Sequence, residues 1–140
     1  MRLKPIAEHL KARGFKRVQG VLELTALNSP PSTLPAYFVV PDIETAEPNN
    51  RVGVHHQRTD LRFGVVIMLG AAANQDRLSD ELHDEETKVI EALISWVHPD
   101  AAEGVGCDYA GGRLLTLSAS GKTVSWMVSF RTRRLIRKVQ

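Results

Sequence analysis

In two stretches of this chain a large apolar residue occupies every second position. Leu61, Phe63, Val65, Ile67 and Leu69 form one series, and Val124, Trp126, Val128 and Phe130 form the other. A period of two lines one face of a strand, whereas on a helix it would scatter around the circumference. Any fold for this sequence must therefore contain a sheet with a layer packed on at least one face. The alternate positions of the first series read Arg62, Gly64, Val66 and Met68. That face is expected to be solvated at its start and covered at its end. The strand is expected to begin as early as Val52, with a bulge at Thr59-Asp60. A shorter β-rich run, Ala36 to Val40, is expected to close at Pro41. Val105 to Ala110 leads through Gly111-Gly112 into Arg113 to Leu117, and a turn over 118–122 precedes the last alternating strand.

The covering layer is helical. Leu3, Ile6, Ala7 and Leu10 follow i, i+3, i+4, i+7 spacing, which makes one apolar stripe. Pro5 fits only in a first turn. Gly14 offers the left-handed stop, and Phe15 can fold back on Leu10. The spacing predicts a longer helix from about Asp76 to Trp96, with Leu78, Leu82, Val89, Leu93 and Trp96 inward. Asp80, Glu81, Asp84, Glu85 and Glu86 cluster in its first half, where the helix dipole favours negative charge. They read as a solvated face. Val18 to Leu27 fits a strand followed by a short helical turn without being settled by pattern alone. Asn28 to Ser32, with two prolines, is a loop, and 71–75 is another. Asp42 to Arg51 reads as an exposed loop, marked by Pro48-Asn49-Asn50. Helix, strands, helix, strands in that order is α+β, a mostly antiparallel sheet packed against two main helices. Phe63, Val65, Ile67, Leu93, Trp96, Trp126 and Phe130 are the expected core.

Size and composition narrow the function. At 140 residues the chain suits one domain with a single sizeable core. One cysteine, Cys107, excludes an internal disulfide framework and a cysteine-rich zinc site. No apolar run reaches the ~18 residues of a membrane span, and Met1 to Pro5 lacks the apolar stretch of a signal peptide. A reducing, soluble compartment is expected. The net charge of +2 is unevenly spread. The last ten residues hold five cations and no acid, leaving 13 basic and 16 acidic side chains elsewhere. The tail reads as an exposed basic strand end or a partner contact.

The motifs that resemble chemistry fail on context. Ser120-Gly121-Lys122-Thr123 looks like the end of a phosphate-binding loop. The full motif needs a glycine where Thr116 stands and a helix where a strand follows. His55 and His56 are neighbours, and on a strand they point to opposite faces. His9, His83 and His98 stand alone as surface or partly packed residues. Cys107 has no histidine close in sequence and reads as a small core or interface residue. No nucleophile elbow, HExxH pattern or dinucleotide fingerprint is present. No enzyme activity, metal or cofactor is expected.

An ordered set of segments carries a resemblance. Leu34 to Pro41, Arg62 to Ile67, Val89 to Trp96, Tyr109 to Leu114 and Trp126 to Phe130 together resemble the tail terminator proteins of long-tailed bacteriophages. In that family a glycine often stands where this chain has Ser95. The resemblance spans nearly the whole chain and implies a tail-terminator-like α+β subunit. It implies a non-enzymatic role in a ring, usually hexameric, on the head-proximal end of the tail tube. Such a ring stops tube polymerisation and meets the head connector, so the expected location is the virion tail, after assembly in the host cytoplasm. The implied partners are other copies of the chain, the tail tube protein and a head connector or head-closure protein, with no membrane and no specific nucleic acid. A ring of this kind needs two unlike faces and a repeated heterologous contact. The segments 42–58 and 71–75 are the best contact loops. Arg51, His55, His56 and Arg58 add positive charge to the first, and Asp80, Asp84 and Glu85 could face them across a subunit boundary. Arg131, Arg133 and Arg134 extend the candidate surface. The competing reading of both patches is solvated surface. The competing readings of function are a nucleic-acid-binding module using the basic tail, and a head-closure or tube protein.

Overall fold

Helix α1, Lys4–Ala12, ends as its local sequence dictates. Gly14 takes a φ of 97°, its N–H bonds to the Lys11 carbonyl, and the Phe15 N–H reaches back to the Leu10 carbonyl at 3.1 Å. These are the paired bonds of a left-handed helix stop. The computed structural model describes residues 1–25, 34–70, 75–117 and 123–139. The expected loops at 28–32 and 71–74, and the turn at 118–122, lie outside those residues.

After α1 come β1 (Val18–Gly20), α2 (Val21–Thr25), β2 (Ala36–Ala46) and β3 (Val54–Gly70). Then follow α3 (Gln75–Leu93), β4 (Asp108–Leu117) and β5 (Thr123–Val139). The five strands make one sheet in the order β1-β2-β3-β5-β4. Only β1 and β2 run parallel; the other pairs are antiparallel. The class is α+β, as expected.

Both faces of the sheet are used. Tyr37, Val39, Phe63, Val65, Ile67, Leu69, Val128 and Phe130 turn one way, onto Ile6 and Leu10 of α1 and Val89 and Leu93 of α3. Ala36, Phe38, Val40, Val66, Met68 and Met127 form a second, smaller cluster, with Leu24 and Leu34 against it. Gly64 lies in this second cluster, where a Cβ would stand 2.7 Å from the Met127 sulfur.

Several boundaries differ from those expected, each for a physical reason. Pro41 does not end β2. The strand continues to Ala46 through a bulge between Pro41 and Glu44. β1 pairs only as far as Val39, so Pro41 lies on an open edge, where its missing N–H costs no ladder bond. The expected loop from Asp42 therefore shrinks to residues 47–53. No bulge occurs at Thr59-Asp60, because β3 pairs with β5 without a break from Val54–Val139 to Gly70–Thr123. Gly111-Gly112 sits inside a continuous β4, with a bulge between Tyr109 and Gly111. Gly112 leaves room for the Trp126 indole, whose Nε1 would lie 2.7 Å from an added Cβ. Trp126 itself is partly rather than fully buried, because its N–H reaches out to Glu86.

α3 stops at Leu93, short of Trp96. Ser95 has a φ of 65°, and the chain there pairs with the segment around Cys107. The Ser95 N–H bonds to the Cys107 carbonyl and the Cys107 N–H to the Trp96 carbonyl, both at 2.8 Å. A left-handed backbone is costly for any residue with a Cβ. Ser95→Gly is therefore expected to leave stability unchanged or raise it by up to about 1 kcal/mol in urea denaturation. A loss larger than that would mean that the serine side chain has a role of its own.

Of the histidines expected at the surface or partly packed, His9 is partly packed, whereas His98 lies deeper and ties the N-terminus down. His98 is fully buried. Its Nδ1 accepts the Asp100 N–H at 2.9 Å, so Nε2 donates to the Arg2 carbonyl at 2.7 Å. His9 stacks on Trp96 with centroids 4.5 Å apart and bonds the Ala92 carbonyl. Hydrogen bonds from Arg2 hold the Asp100 carboxyl far below its ordinary pKa. A carboxyl depressed on folding stabilises at neutral pH, and that contribution fades as the pH falls through the acid range.

Candidate assembly surface

β3 and β5 are each 17 residues long, about 55 Å of extended chain. The core covers only part of that length. β2 leaves the sheet opposite Thr59, and β4 begins opposite Arg131. Beyond these points β3 and β5 continue as a two-stranded ribbon, with His55 beside Lys138, His56 beside Arg137 and Arg58 beside Leu135. The ribbon ends at the 47–53 turn. There the Asn49 side-chain carbonyl accepts the His56 N–H at 3.0 Å and the Arg51 N–H at 3.4 Å.

The ribbon is strongly basic. Residues 54–62 and 131–139, which make up the ribbon and the sheet rows that lead into it, contain Arg58, Arg62, Arg131, Arg133, Arg134, Arg137 and Lys138 against a single acid, Asp60. Asp60 lies opposite Arg133, and their charged groups approach to 3.9 Å. Arg62 and Arg131 stand directly opposite one another, an arrangement of like charges that destabilises a strand pair. The field at the tip registers on His56. Lost hydration lowers its pKa first, and Arg51, Arg137 and Arg58 lower it further.

Seven of the expected contact residues thus come together on one element. Arg51 is at the tip, His55, His56 and Arg58 are on β3, and Arg131, Arg133 and Arg134 are on β5. His55 and His56 fall on opposite faces, as two strand neighbours must; the His55 ring bonds Gln57 at 2.8 Å. By the same alternation Arg62, Arg131, Arg133 and Arg137 share the His56 face with Arg58, whereas Arg134 and Lys138 share the His55 face. The cation-rich last ten residues were the ribbon's signal, but only the pairing with β3 shows where they sit.

The acidic residues divide. Asp80 and Asp84 are exposed on α3, with Glu81 beside them. Glu85 is not part of that face: it is 8% exposed and accepts the Tyr37 hydroxyl, with Lys88 at 3.3 Å. The reading of Glu85 as solvated is corrected by Tyr37, which reaches it from β2. Burial, followed by the bond to Glu85 and its charge, raises the Tyr37 pKa. The phenol is held protonated as a hydrogen-bond donor and is a poor acid. Cys107 is equally unreactive. Burial, with a smaller contribution from Asp108, pushes its thiol up to about 11, so little thiolate exists at neutral pH. Thr123, the last residue of the phosphate-loop-like run, opens strand β5 rather than a helix. Among the described residues no three His, Cys, Asp or Glu side chains gather, and no helix is long and apolar enough to cross a membrane.

A basic ribbon leaving a two-faced sheet, with two helices on one face, offers surfaces rather than a reaction centre. The chain matches the family model described as phage tail terminator protein, over residues 1–140. It belongs to that family. No protein of curated function matches it. Tail terminators are structural proteins of the virion tail, not enzymes, and act where head and tail join.

Proposed function

We propose that copies of this chain close into a ring, six subunits in the form the family resemblance implies, on the head-proximal end of the tail tube. One face of the ring docks on the tube and the other meets the head connector, so the tube stops growing there. The observation that carries this reading is the family match from Met1 to Gln140. A terminator must copy one docking surface of the tube and deny the next tube ring a second one. A rigid sheet can set the rotation between subunits while projecting elements make the contacts. The ribbon is such an element, and Arg51, His55, His56, Arg58, Arg131, Arg133 and Arg134 are its proposed contact residues, with Asp80 and Asp84 as candidates on the facing side.

Capping of purified tail tubes tests this. The Arg51→Glu, Arg58→Glu double variant is expected to lose capping while its unfolding free energy stays within about 0.5 kcal/mol of the parent, as for other surface changes. Normal capping by this variant would remove the ribbon tip from the interface. Wild-type chain that adds along the length of growing tubes, instead of ending them, would mark a tube protein.

A further inference from the structure

We propose that the basic ribbon of one subunit docks on the acidic first half of α3 of a second copy of the same chain. The proposal rests on the ring reading above and names the partner of the ribbon.

Both halves of such a contact are present and unpaired on a single chain. Among the seven ribbon cations only Arg133 has an acid within ion-pair distance in the described residues, at 3.9 Å. Asp80, Glu81 and Asp84 are exposed on α3, and none forms an ion pair with a described residue. The fold keeps the two sets apart. Glu85 and Glu86 are bonded by Tyr37 and Trp126, both of which pair with Ile67. Asp80 and Asp84 precede them on α3, toward the Gly70 end of β3. The His56 row of the ribbon is eleven residues from Ile67, about 36 Å of strand. Charges that far apart are screened at ionic strengths where the Debye length is about 8–10 Å. One chain therefore cannot neutralise its own poles, whereas a neighbour laid head to tail can.

The geometry also sets the kind of contact. Ribbon and helix are different surfaces, so their union is heterologous and leaves one free pole at each end until a ring closes. A nucleic acid fits less well. The residues 54–62 and 131–139 include no Phe, Tyr or Trp on which bases could stack.

Two variants test the pairing: Arg58→Glu, Arg134→Glu, Arg137→Glu on the ribbon, and Asp80→Lys, Asp84→Lys on α3. Both are expected to keep the parent's circular dichroism. Each alone should self-associate at least about tenfold more weakly in sedimentation, with and without tail tubes. Mixed in equal amounts they should assemble again, because each reversed ribbon meets a reversed helix and each native ribbon meets a native helix. Native mass spectrometry of the mixture should then show equal numbers of the two variants, and the five substitutions combined in one chain should restore self-association. Wild-type assembly by either variant overturns the proposal. So does a folded mixture that stays dissociated, or wild-type chain that remains monomeric under both conditions. A ribbon variant that assembles normally but no longer binds a 30-base-pair duplex would assign the ribbon to nucleic acid instead. The outcomes separate this contact from the ring's role: restored assemblies that fail to cap tubes contradict the terminal position and leave the contact standing.

Discussion

Replacing Phe63 by alanine is expected to lower the unfolding free energy by about 3–5 kcal/mol. Phe63 is fully buried and stacks on Phe130 with ring centroids 5.5 Å apart and planes 20° from parallel. Tyr109 meets Phe130 edge-on across the next strand. These aromatics form a core row next to the Arg62–Arg131 pair, with Leu61 and Thr132 buried in the row beyond it. Truncation removes the buried ring and leaves a space that three bonded strands cannot readily fill. The whole chain is stable by only about 7–20 kcal/mol at 0.05–0.15 kcal/mol per residue, so the loss is a large share of the total. Urea denaturation of the unassembled chain, with an unchanged dependence on denaturant, checks it. The protein concentration must be held fixed, because assembly adds stability by mass action. A loss below about 1 kcal/mol would place the main core elsewhere.

Where the sequence could be read and where it could not follows from the range of the interactions. The stop of α1 lies within Leu10 to Phe15, so its residues carry the whole signal. The inward faces of β3 and β5 were legible because burial on one face imposes a period of two. The outward half of the ribbon has polar residues on both faces, so no alternation marks it; there the strand exists because 54–62 and 131–139 pair across the chain. Pro41 misled because its effect depends on whether a neighbour needs its N–H, which is a property of the sheet edge. His98 is buried because the Arg2 carbonyl, 96 residues away, accepts a hydrogen bond from its ring N–H. The charge of the candidate surface could be counted in the sequence, but its gathering onto one projecting element required the register of two distant strands.

Asp84 and Glu85 make the same point as an expected result. They are chemically alike and adjacent, yet a helix turns successive residues by about 100°. Asp84 faces solvent, while Glu85 faces the sheet, where the Tyr37 hydroxyl donates to it and Lys88 flanks it. Glu85→Lys would place a second cation beside Lys88, take the acceptor from Tyr37 and leave a charge without an opposite partner in a site 8% exposed. Breaking a buried charged contact in this way costs about 3–5 kcal/mol. Glu85→Gln keeps an oxygen for Tyr37 and should fall well below that. Asp84→Lys should change stability by no more than about 0.5 kcal/mol, yet weaken self-association, since it reverses a charge on the proposed docking face. Thermal unfolding and sedimentation of the three variants separate the two roles: Glu85 acts on folding and Asp84 on assembly. Equal destabilisation by Glu85→Lys and Asp84→Lys would show that the helix is not rotated as described, and would remove Asp84 from the surface that a neighbouring ribbon could reach.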